Sequence, residues 1–108
     1  SEAEIQQAIR DAENYASQDD MRRDLMQTLN EGQQLANEVS MALAKAGKQL
    51  DKDEKKRVKN DEAVLRKMIS RAKPDKMTDA ELTELKAAIE TLRGSSIHVV
   101  HLARNMSE

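Results

Sequence analysis

His98 and His101, the two histidines of the chain, stand three residues apart near its end. On a helix that spacing puts them on neighbouring positions of one turn, where a divalent metal can be shared. The pair lacks an intervening Glu and a third ligand, and neither His has the Glu three residues before it that a two-metal bundle uses. Both fall at the flank or back of an apolar stripe, so they are expected as exposed surface residues. Lys52-Asp53-Glu54-Lys55-Lys56-Arg57 is dense in charge, but acids interrupt the bases and no aromatic accompanies them. It reads as a solvated first helical turn rather than a phosphate site. The chain has no cysteine, no Gly-rich phosphate loop and no Ser/His/Asp set. These residues are therefore expected to hold no metal and no cofactor and to catalyse nothing.

Composition narrows the classes further. The 108 residues suit one domain or a piece of one. Eighteen bases against twenty acids, mixed along the chain, give a net charge of −2 and no one-signed footprint for nucleic acid. No apolar run approaches membrane-spanning length and no signal peptide opens the sequence, so a soluble, cytoplasmic protein without membrane contact is expected.

The elements follow from periodicity and caps. Ser1-Glu2-Ala3-Glu4 is a capping box, and no proline interrupts the helical pattern from there to Ala46. Gly47 is expected to end this helix as a left-handed C′ residue. Asp51 opens a second helix with Val58, Leu65, Met68 and Ile69 inward, and Lys73-Pro74 closes it. Thr78-Asp79-Ala80-Glu81 opens a third, which Gly94 is expected to stop, and Ser95 or Ser96 begins a fourth. The predicted class is all-α: a long N-terminal arm followed by an antiparallel helical bundle.

Within the first helix two apolar stripes disagree. Ile5, Ala8, Ile9, Ala12, Tyr15 and Ala16 draw one; Leu25, Leu29, Ala36, Val39, Leu43 and Ala46 draw the other, about 145° round the axis. One bundle cannot bury both faces of a straight helix. Either the helix breaks near residues 14–18, or its first part serves a different partner. Asp19 continues the first stripe, so a carboxylate follows directly on a face that expects a cover. Asp19, Met26, Asn30, Gln33 and Asn37 then form a mostly polar line away from the bundle side, suited to a wet helix face or to a docking edge.

These residues resemble a known family. Glu4-Ile5-Gln6, Arg10-Asp11-Ala12-Glu13, Ala16, Asp19, Gln27-Thr28, Asn30, Gly32 and Leu35 are similar, without a gap, to the helical lid of bacterial Hsp70 chaperones of the DnaK type. Ala46-Gly47-Lys48 and Leu50 continue the likeness, which covers residues 1 to about 60. The resemblance implies a lid that closes over the peptide-binding cleft of a β-sandwich in the same chain. ATP, held by an upstream ATPase domain of the parent, would open it. Unfolded peptides would be the substrates, and J-domain and nucleotide-exchange co-chaperones the parent's partners. It further implies that residues 1–18 pack on the sandwich through Ile5, Ala8, Ile9, Ala12 and Ala16, with residues 19–108 forming the lid bundle. Asp19 would be an acidic latch to an arginine of the sandwich, with Asn30, Gln33 and Asn37 along the same edge. Gln33 stands where an Asp is common in that family, and Asn37 where a His is common.

Without its sandwich the first stripe is expected to seek another surface, by self-association or by swapping into a neighbour's bundle. The rival reading is a free-standing helical-bundle adaptor that binds a partner helix with the same stripe.

Overall fold

The computed structural model describes residues 1–106. Helix α1 runs Glu2–Ala46, a 3-10 turn follows at Gly47–Gln49, α2 runs Lys52–Arg71 and α3 runs Asp79–Met106. Among the described residues there is no strand. The molecule measures 70 × 26 × 18 Å with a radius of gyration of 19.3 Å, against about 13 Å for a compact chain of this length. At about 1.5 Å per residue, α1 alone accounts for the long dimension.

The caps form where the sequence puts them. Ser1 and Glu4 make the reciprocal box at the start of α1, and Asp51 accepts from the Glu54 amide at 2.8 Å. The Thr78 hydroxyl accepts from the Glu81 amide at 3.1 Å. Of the two alternatives for α1, the break at residues 14–18 is not taken: Tyr15-Ala16-Ser17-Gln18 contains no breaker, and α1 is continuous through it. Two expectations fail, each for a local reason. Gly47 is right-handed, at φ −57° and ψ −30°, because the chain tightens there into the 3-10 turn instead of reversing. Gly94 does not stop the third helix, so three helices stand where four were expected. The inward face of α3 carries through it as Leu85, Ile89, Leu92, Ser96, Val99 and Ala103, at alternating steps of four and three, all buried. Ser95 and Ser96 bond back to the carbonyls of Leu92 and Arg93 instead of capping a new helix.

Helices α1 and α2 are antiparallel, as are α2 and α3, so α1 and α3 run parallel. The core lies between Leu25 and Ala46 of α1, with Val58 and Leu65 from α2 and the inner face of α3 closing it. Gly32 lets all three helices converge. A Cβ there would come within 3.2 Å of Ile69 on α2 and 3.3 Å of Ile89 on α3. Acids of α1 at heptad spacing pair with bases of α3. Asp24 meets Lys86 at 2.8 Å, Glu31 meets Arg93 at 2.6 Å, and Glu38 meets Arg104 at 2.8 Å. On the other flank the Arg66 guanidinium of α2 donates to the Ala36 carbonyl at 3.0 Å.

Candidate docking surface

All of residues 1–18 are exposed. The first stripe therefore lies in solvent: Ile5 is 61% exposed and Ile9 48%, with Ala8, Ala12 and Ala16 beside them. The buried positions Gly32, Ala36, Val39 and Ala42 lie about 170° round the axis from that stripe. The arm cannot turn Ile5 and Ile9 into the bundle without turning its continuation out. What keeps it helical is local: the cap at Ser1, frequent alanines, and side-chain bonds such as Gln7 to Asp11 at 2.9 Å.

Asp19 stands where the arm meets the bundle, its side chain 47% exposed. Its carboxylate accepts from Arg23 one turn on, at 2.5 Å, and Arg23 also approaches Asp20 at 3.8 Å. Further along, Met26 and Asn30 are exposed. Gln33 donates to the Asn37 side-chain oxygen at 3.2 Å, and that oxygen lies 3.4 Å from the donating Arg66. Asn37 is thus tied to α2, a contact that only the packing of the helices creates. Asp19, Asn30, Gln33 and Asn37 all point within about 80° of the Ile5–Ile9 stripe. The first stripe and the polar line are thus on one side of one continuous helix, with Asn37 reaching α2 at its edge.

Concavities border α1 at its neck and near its C-terminal end. One, of about 440 Å³, sits at the neck where the arm leaves the bundle, between Tyr15, Arg22 and Leu25 and the α2–α3 loop at Pro74 and Asp75. Arg22 and Asp75 approach to 3.4 Å across it. The other, of about 460 Å³, lies between α1 and α3 near their C-terminal ends, around Met41, Ala42, Val100 and Ala103. Neither was expected, since each depends on which helices become neighbours. The acid ladder did leave a signal, the seven-residue spacing of Asp24, Glu31 and Glu38.

Asp24 is shifted by its partner on α3. The hydrogen bond from the Lys86 ammonium holds its carboxyl below the usual carboxylate range, against a smaller opposing push from burial. The histidines are engaged separately. His98 Nδ1 lies 2.8 Å from a Glu54 oxygen, and His101 Nε2 lies 3.1 Å from the Asn105 amide nitrogen. Among the described residues no three His, Cys, Asp or Glu side chains are grouped to hold a metal ion. No helix among them is long and apolar enough to cross a membrane. The outward side of α1 is a long face with exposed apolar residues in the arm and polar ones beyond it.

The family described as Hsp70 protein matches residues 1–98. The mitochondrial heat shock protein SSC3 of Saccharomyces cerevisiae is 33% identical over 98 residues, 90% of this chain and 15% of that protein. The chaperone protein DnaK of Burkholderia cenocepacia is 36% identical over 86 residues, 79% of this chain and 13% of that protein. The chain thus spans about one-seventh of the length of these curated relatives. No solved structure matches it.

Proposed function

The chain belongs to the Hsp70 family, and on that premise we propose that it is the helical lid of such a chaperone. Residues 1–18 rest on a β-sandwich of the same parent, and residues 19–108 form the bundle that closes over its peptide cleft. The observation that carries this reading is the exposure of Ile5 and Ile9 on a continuous helix whose opposite face is spent on the bundle. Such a stripe suits a surface that this chain does not itself supply. A helical adaptor unrelated to chaperones would use the same stripe, but family membership weighs against it.

In this reading Asp19 is the latch. Its carboxylate holds Arg23 in the free chain and exchanges it for an arginine of the sandwich when the lid shuts. Asn30 and Gln33 line the same edge. Asn37 contributes only by loosening its contact with Arg66. The parent's ATPase domain holds the ATP that opens the lid. Unfolded peptides are its cargo, J-domain and nucleotide-exchange co-chaperones set its cycle, and the compartment is the cytoplasm.

The test is peptide release from the full-length parent in its ADP state. Removing one partner of a partly buried ion pair costs several kcal/mol, whereas an exposed pair contributes about 0–1. Asp19→Ala should therefore speed release by about tenfold or more. Release kinetics that match the parent protein would remove Asp19 from the latch.

A further inference from the structure

Asp19 is followed three and four residues on by two bases, Arg22 and Arg23. Both spacings make helix neighbours, so either base can reach the carboxylate. The structure separates them. Arg22 is spent on Asp75 of the α2–α3 loop, 3.4 Å away across the neck. Arg23 takes Asp19 with one guanidinium nitrogen at 2.5 Å and approaches Asp20 with the other at 3.8 Å. At about 100° per residue it stands between the two acids, about 40° round the axis from Asp19 and about 60° from Asp20. Arg23 also lies five full turns from Ile5 at about 3.6 residues per turn, so it points along the first stripe. A cover resting on Ile5 and Ile9 comes down over this base.

We propose that Arg23 is a brake on the latch. It occupies Asp19 while the lid is open, and it must yield that carboxylate to the sandwich arginine, moving to Asp20, for the lid to shut. The inference rests on the reading of Asp19 as the latch and assigns the regulation of that latch to this chain's own residues. The incoming guanidinium meets a carboxylate that is already neutralised, with a like charge beside it. Asp20 eases the exchange, because it offers Arg23 a second partner without any movement of the backbone. Without Asp20, Arg23 is left with Asp19 alone and competes for it harder.

The Arg23 side chain is 70% exposed, and those of Asp19 and Asp20 are 47% and 75% exposed. Exposed pairs contribute little, so the brake is light, worth a factor of about two to five in release rather than orders of magnitude. The direction of the effect identifies it. Damage to a lid speeds release, whereas loss of a brake slows it. Asp19→Ala and Arg23→Ala remove the two ends of one ion pair and yet act in opposite directions.

The test is release of a fluorescently labelled peptide from the full-length parent in its ADP state, with Asp19→Ala as the reference. Arg23→Ala should slow release about two- to fivefold. Arg23→Lys keeps the charge but cannot fork between two acids, and should fall between. Asp20→Asn should speed release by a similar factor, and should change nothing once Arg23 is alanine. A plain long-range pull of Asp20 on the sandwich arginine would instead persist in that background, and would overturn the proposal. Asp19→Ala/Arg23→Ala should release as fast as Asp19→Ala alone, because without the latch the brake has nothing to hold. If Asp19→Ala speeds release but Arg23→Ala releases at the parent rate or faster, the brake falls and the latch stands. An Asp19→Ala variant without effect would remove both together.

Discussion

Residues 2–24 and 25–46 of α1 are wound on one uninterrupted axis, yet Ile5 and Ile9 stand in solvent while Leu25 and Val39 are enclosed. Residue type does not separate the two halves, since both carry alanines and branched aliphatics at three-and-four spacing. They differ in the availability of neighbours. From Leu25 onward, α2 and α3 cover the inward stripe, whereas residues 1–18 are all exposed. An apolar stripe at helical spacing therefore announces that a face is meant to be covered, without saying that the same chain covers it. Besides its cap and its alanines, the arm is helped by extending a helix already nucleated in the bundle, so each added residue escapes the cost of starting a turn.

The largest expected effect breaks that comparison into numbers. Leu92, fully buried at 0% exposure, should lose about 2–5 kcal/mol of stability on replacement by alanine, the range for emptied aliphatic core sites. Ile9→Ala removes a similar side chain from the arm and should stay within about 0.5 kcal/mol. Urea unfolding of both variants measures the contrast. A large loss at Ile9 in dilute solution would mean that the arm is already packed on something.

Much of this was legible because the signals are local. The caps at Ser1, Asp51 and Thr78 and the stop before Pro74 each depend on a few adjacent residues. The divergence of the two stripes needs only the period of the helix. Asp19 was singled out as a carboxylate on a face that expects a cover, and the structure leaves it half exposed at the neck. What was not legible is non-local. Gly94 looked like a stop because glycine lacks helix propensity, yet a buried seam that continues through Ser96 and Val99 outweighs that. The Arg66–Asn37 tie depends on how α2 packs against α1, and the acid ladder and the groove beside Met41 on α1 and α3 running parallel, none of which a single segment encodes.

The two interior glycines sharpen the comparison between packed and open surface at smaller scale. Gly94→Ala gains helix propensity, and its Cβ would meet nothing within 4 Å. Stability should rise by about 0.5–1 kcal/mol, a few degrees in Tm. Gly32→Ala has the same intrinsic gain, but the new carbon must displace the tips of Ile69 and Ile89. Its Tm should rise less than that of Gly94→Ala, or fall. An equal rise in both would mean that the three helices are looser at Gly32 than their contacts indicate.

The smallest effect sits on the boundary itself, at Asp24, the first rung between α1 and α3. The Lys86 ammonium keeps this carboxylate ionised to lower pH in the folded chain than in the unfolded one. In that window the unfolded state binds the extra proton, so stability rises with pH. The contribution is complete above the ordinary carboxylate value of about 3.9 and disappears as pH falls through the lower, folded value. Asp24→Asn should therefore be less stable than the parent chain at pH 7, with the gap closing on acidification below about pH 4. Both partners are about half exposed, so the gap should also shrink in about 1 M salt, where screening reaches about 3 Å. A gap that persists at pH 2 and in salt would assign the loss to packing or helix propensity at residue 24. The first rung would then be a contact of shape, and charge at the boundary between arm and bundle would rest on Arg22 and Asp75.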